Sequence, residues 1–254
     1  MHTSTEDRPS QPRSATSVSE RNACLAALSP AAFSLLKPHL SRTTVPGGTV
    51  LWATELNESN TYFPMSGLIS VVYSMANGDS VEVANVSREG AAGTIFDSGR
   101  SARGVVQFAG SFITIGSHQL LDLAQRNAEI GQLLSACQGW LLAQSQQFAA
   151  CTALHSAEKR LCRWLYQCIQ KMEIDTLYAT QEQIAALLGL RRTTVTLVAR
   201  SLLGEGVIDY GRGRIRVSDL AKLRHAACEC CDSLGRESWP AARLIEQQSM
   251  ILDE

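Results

Sequence analysis

No run in this chain approaches the ~20 consecutive apolar residues that a membrane-spanning helix needs. The opening segment, MHTSTEDRPSQPRSATSVSE, has no apolar block. A secretory leader is therefore not expected there, and its Ser, Thr, Pro and charged content suits a disordered tail over 1–20. Net charge is nearly absent at −1, so no global basic field draws the molecule to polyanions. The five histidines, His2, His39, His118, His155 and His225, are scattered with no H-x-H pair, which leaves a cupin-like metal enzyme poorly supported. No catalytic residue, metal ligand or cofactor is assigned, and an enzyme is not expected. Without a secretory signal, a cytoplasmic protein with reduced thiols is the default expectation.

Cysteine is not scarce. Cys24, Cys137, Cys151, Cys162, Cys168, Cys228, Cys230 and Cys231 number eight, and several fall at apolar helical positions where a thiol packs as a small hydrophobe. The C-E-C-C run at 228–231 is dense, yet it lacks the paired C-x-x-C spacing of familiar zinc sites. Its role stays open. With 254 residues, 45% of them hydrophobic, two domains of ordinary size can each bury a core.

The segment Thr180–Val217 carries the clearest signal. Thr180 and Gln183 stand at the reciprocal positions of a capping box. Ile184, Leu187 and Leu188 share one helical face, and Gly189 suits the left-handed residue that ends a helix. Arg191, Arg192, Thr193 and Thr194 open a second helix with an apolar face of Val195, Val198 and Leu202. Two helices around a glycine turn, the second opening on arginines and hydroxyls, is the arrangement that offers side chains to a DNA major groove. Residues 189–217 hold six arginines against Glu205 and Asp209, a local balance of +4. Such a patch implies salt-dependent phosphate contacts.

Over a longer span the chain resembles the CRP/FNR superfamily of transcription regulators. The residues are SAEKRLCRWLYQC at 156–168, with Glu158, Arg160, Leu161 and Leu165, then the helix-turn-helix, then Gly206-Val207-Ile208 and Gly211 to Val217. The resemblance implies an α+β protein: an N-terminal antiparallel β jelly-roll barrel, a long dimerisation helix and a C-terminal winged helix-turn-helix. The boundaries expected are 21–125 for the sensor barrel, 126–155 for the helix, 156–227 for the DNA-binding domain and 228–254 for a tail. Double-stranded DNA, a second copy of the chain and RNA polymerase are the partners implied. Family members with an iron–sulfur cluster hold it on clustered N-terminal cysteines; here that region has only Cys24.

The contact residues expected for DNA are Gln181, Arg191, Arg192, Thr193, Thr194, Thr196, Arg200, Arg212, Arg214 and Arg216. Arginine can donate two parallel bonds to guanine, and threonine can meet a phosphate or a thymine methyl. Arg212, Arg214 and Arg216 alternate, as on one strand face. Relative to the family's Arg-Glu-x-x-x-Arg pattern, Arg192 keeps the first arginine, while Thr193 and Leu197 replace the other two groups. The operator is therefore expected to differ from a TGTGA half-site.

Between Val45 and Ile115, short β-rich runs recur, with Asn77-Gly78 as a hairpin signal. Tyr62-Phe63-Pro64 followed by Gly67-Leu68-Ile69 is similar to a strand pair of cyclic-nucleotide-binding domains. Gly90, Gly93, Arg100 and Ser101 lie where the family binds its effector phosphate, but Ala91 stands where a ribose-binding Glu would be. A methyl group accepts no hydrogen bond, so cAMP is not expected. Along 129–154, Leu134, Cys137, Leu141, Gln144, Phe148 and Cys151 follow a three-four spacing that suggests a dimer seam. An intramolecular core stripe is the alternative reading of those six. A cyclic-nucleotide-binding-like signalling module acting through protein partners is the alternative function.

Overall fold

The computed structural model describes residues 22–53, 59–96, 102–233, 239–242 and 244. Two short helices open it, α1 (Ala23–Ala26) and α2 (Pro30–Leu36). Asn22 caps α1, its Oδ1 accepting from the Cys24 and Leu25 amides, while its amide group donates to Pro64 O and Gly90 O at 3.0 Å each. This one buried side chain thus fixes the entering chain to the end of one barrel strand and to one barrel loop.

The strands are β1 (Ser41–Val45), β2 (Val50–Trp52), β3 (Asn60–Pro64), β4 (Leu68–Ser74), β5 (Ser80–Val86), β6 (Ala92–Gly93), β7 (Ala102–Phe108) and β8 (Gly110–Gly116). They form two four-stranded antiparallel sheets, ordered β1-β8-β3-β6 and β2-β7-β4-β5. Chain neighbours often lie in different sheets, which is the jelly-roll way of closing a β layer on itself. Gly78 takes φ +89° in the hairpin between β4 and β5, as the Asn-Gly signal requires. Gly67 has φ +79°, and a Cβ there would meet Phe108 O at 2.6 Å, so the turn before β4 accepts only glycine.

Two helices follow, α3 (Ser117–Arg126) and α4 (Ala128–Leu154). Asn127 caps α4 through the Ile130 amide. Then come α5 (Ala157–Met172), β9 (Thr176–Tyr178), α6 (Gln181–Leu188), α7 (Arg192–Gly204), β10 (Ile208–Gly211), β11 (Arg214–Val217) and α8 (Leu220–Ala226). β10, β11 and β9 form a small sheet, so the wing hairpin has a third strand.

One core cluster joins the two domains. Leu68 and Val72 of the barrel pack with Leu161, Trp164 and Leu165 of α5 and Ile184 and Leu188 of α6. Polar groups reinforce this seam. Trp164 Nε1 donates to buried Glu82 Oε1 at 3.2 Å, and Lys171 Nζ lies 2.8 Å from Glu89 Oε1 and 2.6 Å from Asn85 Oδ1. Arg88 and Glu173 pair across it. The C-terminal segment also turns back, with Leu244 buried in the cluster that holds Cys24, Phe63 and Leu133.

Of the two readings of the α4 stripe, a dimer seam or an intramolecular core, these contacts favour the core. Cys137, Gln144, Phe148 and Cys151 are buried inside the chain, and Leu134 and Leu141 pack against the barrel clusters. A three-four apolar stripe is what any helix needs to dock on a core, and here the barrel and α5 occupy it. The outward ridge instead carries Gln138, Leu142, Ala149 and Ala153, with Leu142 59% exposed.

Candidate nucleic-acid interface

The capping box is formed: Thr180 N donates to Gln183 Oε1 at 2.8 Å, and Gln183 N donates to Thr180 Oγ1 at 3.2 Å. Gly189 ends α6 at φ +59°, ψ +40°. Leu190 N then donates to Ala185 O at 2.8 Å, which tightens the turn into α7. Arg160, one of two buried arginines of α5, donates to Leu188 O and so holds the end of α6 from below. Val195, Ala199 and Leu202 of α7 are buried against α5 and α6.

That packing turns the other face of α7 outward. Arg191, Arg192, Thr193, Leu197 and Arg200 are exposed, and Thr194 and Thr196 are half-buried. The first turn of α7 also offers unpaired amides, which favour an anion. Two of the expected contact residues are occupied with each other: Thr196 Oγ1 lies 2.5 Å from Gln181 Oε1 and 3.0 Å from Arg192 O. They brace α6 against α7.

The wing differs from its sequence reading. Arg212 does not share a strand face with Arg214 and Arg216; it occupies the hairpin turn with φ +52°, followed by Gly213 at +75°. The two-residue turn demands left-handed backbone, and that requirement overrides simple alternation. Arg214 and Arg216 are exposed on β11 while Ile215 and Val217 are buried. Their guanidiniums lie 3.4 Å from Asp209 Oδ2 and 3.3 Å from Asp175 Oδ2. Arg216 helps hold the exposed Asp175 carboxyl below its usual range, after the larger effect of the Thr176 hydroxyl. Beside them Tyr178, 73% exposed on β9, is a surface aromatic that sequence reasoning missed. A three-residue strand is too short to show a period.

In the barrel, Gly90 and Gly93 are closely packed, and Gly93 also lines the cavity between barrel and α4. A Cβ at Gly90 would meet Trp140 Cζ3 at 3.1 Å, and one at Gly93 would meet Asn60 O at 2.5 Å. Glu89 is fully buried on Lys171 rather than turned to a ligand. Arg100 and Ser101 lie outside the described residues. A cavity of about 410 Å³ does lie between barrel and α4, lined by Trp52, Val71, Tyr73, Gln138, Leu141 and Ser145 among others.

These features define a β-barrel domain joined through a long helix to a winged helix-turn-helix. Residues 159–226 match the family of Crp-like helix-turn-helix domains. The chain also has the fold of the CRP/FNR regulators. A transcriptional regulator of that family from Eubacterium rectale is 16% identical, with a TM-score of 0.61 over 79% of this chain and 95% of the other. FixK2 from Bradyrhizobium japonicum is 14% identical, with a TM-score of 0.62 over 74% and 98%. The c-di-GMP responsive regulator CLP of Xanthomonas campestris is 16% identical, with a TM-score of 0.57 over 74% and 99%. No protein of curated function matches by sequence. Among the described residues, no helix is long and apolar enough to cross a membrane.

Proposed function

We propose that this protein is a sequence-specific DNA-binding transcription regulator that reads a palindromic operator as a homodimer in the cytoplasm. The observation that carries this reading is the exposed first turn of α7. Arg191, Arg192 and Thr193 project from a Crp-like helix-turn-helix beside a wing bearing Arg212, Arg214 and Arg216. Arg192 is assigned to a base edge, and Arg200 and the wing arginines to phosphates. Leu197 in place of a polar reader suits contact with a thymine methyl.

Dimerisation is assigned to the outward ridge of α4, with Leu142 at its centre. Two-fold pairing there would set two copies of α7 toward half-sites one helical turn apart. The cavity beside the same ridge suits a small, largely apolar effector, since the described lining carries no charged side chain. Leu142 itself lines it, so occupancy and dimer geometry share a residue. An effector shifts DNA affinity only if it binds the two arrangements differently.

Selection of bound duplexes from a random pool, at two salt concentrations, tests this. Enrichment of a palindrome is expected. Salt-sensitive binding without enrichment would leave only a nonspecific DNA binder, and absence of binding with and without effector candidates would overturn the reading.

A further inference from the structure

We propose that Cys151, His155, Cys228 and Cys230 form a closed four-ligand site for a single zinc-class divalent cation, clamping the end of α4 to the segment after α8. One ligand atom from each residue falls within 4.8 Å of all the others. Cys151 Sγ lies 3.6 Å from Cys228 Sγ, and Cys230 Sγ lies 3.6 Å from His155 Nδ1. With Zn–S near 2.3 Å and Zn–N near 2.0–2.1 Å, a tetrahedron has edges of about 3.8 Å between sulfurs and about 3.6 Å between sulfur and nitrogen. The two short edges already match it.

The surroundings fit a bound cation. His155 Nε2 lies 3.0 Å from Glu229 Oε1, which leaves Nδ1 turned to the thiols. A carboxylate on the far imidazole nitrogen is the usual support for a metal-ligating histidine. Gln147 Nε2 donates to Cys230 Sγ at 2.9 Å, an arrangement that suits a thiolate. Three thiolates, one neutral imidazole and a divalent cation sum to −1. Two buried guanidiniums, Arg160 and Arg163, stand within electrostatic reach of Cys151. Neither forms an ion pair among the described residues, and Arg163 Nε has no acceptor among them. An anionic cluster would place countercharge beside both. Cys231 takes no part, its side chain lying in the core of the winged domain.

Four protein ligands leave no open position, so the site is a structural or regulatory clamp rather than a catalytic one. It bridges the joint at His155 and Ser156, where α4 gives way to α5.

The test is metal content of the full-length protein purified under anaerobic reducing conditions, followed by cobalt titration of the chelator-treated protein. One zinc per chain is expected, and cobalt should give the intense visible bands of tetrahedral thiolate coordination. Cys231→Ser should keep both, and Cys230→Ser should lose both. Absence of stoichiometric binding by the unsubstituted chain would overturn the site without recourse to any variant. Full retention by the Cys228→Ser, Cys230→Ser double variant would overturn it, as would a Cys151–Cys228 disulfide in the anaerobic protein.

Discussion

Arg192 begins a helix whose opposite face, with Val195, Ala199 and Leu202, is buried in the core, so its side chain is left exposed. On the proposed reading, Arg192→Ala costs about 1–3 kcal/mol on the preferred operator and relaxes selectivity at one base position. Fluorescence anisotropy on the operator and its single-base variants measures this; equal loss on every duplex would make Arg192 a phosphate contact. Thr180→Ala removes the acceptor for Gln183 N, and the winged domain should lose about 1 kcal/mol in a urea melt. Both residues were legible in the sequence because their roles are local. A cap and a helix start need only a few neighbours along the chain. Arg212 was misread for the same reason in reverse: strand alternation is a weaker constraint than the left-handed turn that Arg212 and Gly213 must make.

At the scale of elements, α5 is the part that joins the barrel to the winged domain. Its Trp164 meets a buried Glu82 that also accepts from Ser70 and from Asn85 at 2.8 Å. Burial raises the Glu82 pKa, partly offset by Ser70, Asn85, Arg163 and Lys171. A carboxyl with a raised folded-state pKa contributes stability that is fully present below its unfolded value. That contribution is lost as pH rises through the folded value. Urea melts across pH should therefore show this contribution eroding upward from the ordinary carboxylate range. Glu82→Gln should flatten that slope while keeping an acceptor for Trp164. A slope unchanged in the variant would assign the effect to another group. The α4 helix itself was legible, but its facing was not. Periodicity marks an apolar stripe and is silent on whether the chain's own barrel or a second copy covers it.

For the molecule as a whole, the proposed assembly rests on the exposed ridge of α4. Leu142→Arg places a charge at the proposed two-fold contact, and the dimer dissociation constant should rise at least about tenfold, about 1.4 kcal/mol. Sedimentation velocity reads this directly, and an unchanged dimer would move the interface elsewhere. The sequence by itself determined the jelly roll, the long helix and the winged helix-turn-helix, since hairpin glycines, caps and apolar periods act over short stretches. Only the tertiary structure decided which face of α4 is inward, that Glu89 is spent on Lys171, and that Cys228 and Cys230 meet Cys151 and His155. The last two outcomes join residues 75 or more positions apart in sequence, as with Cys151 and Cys228, and chain-local patterns carry no information about which distant surfaces close on each other.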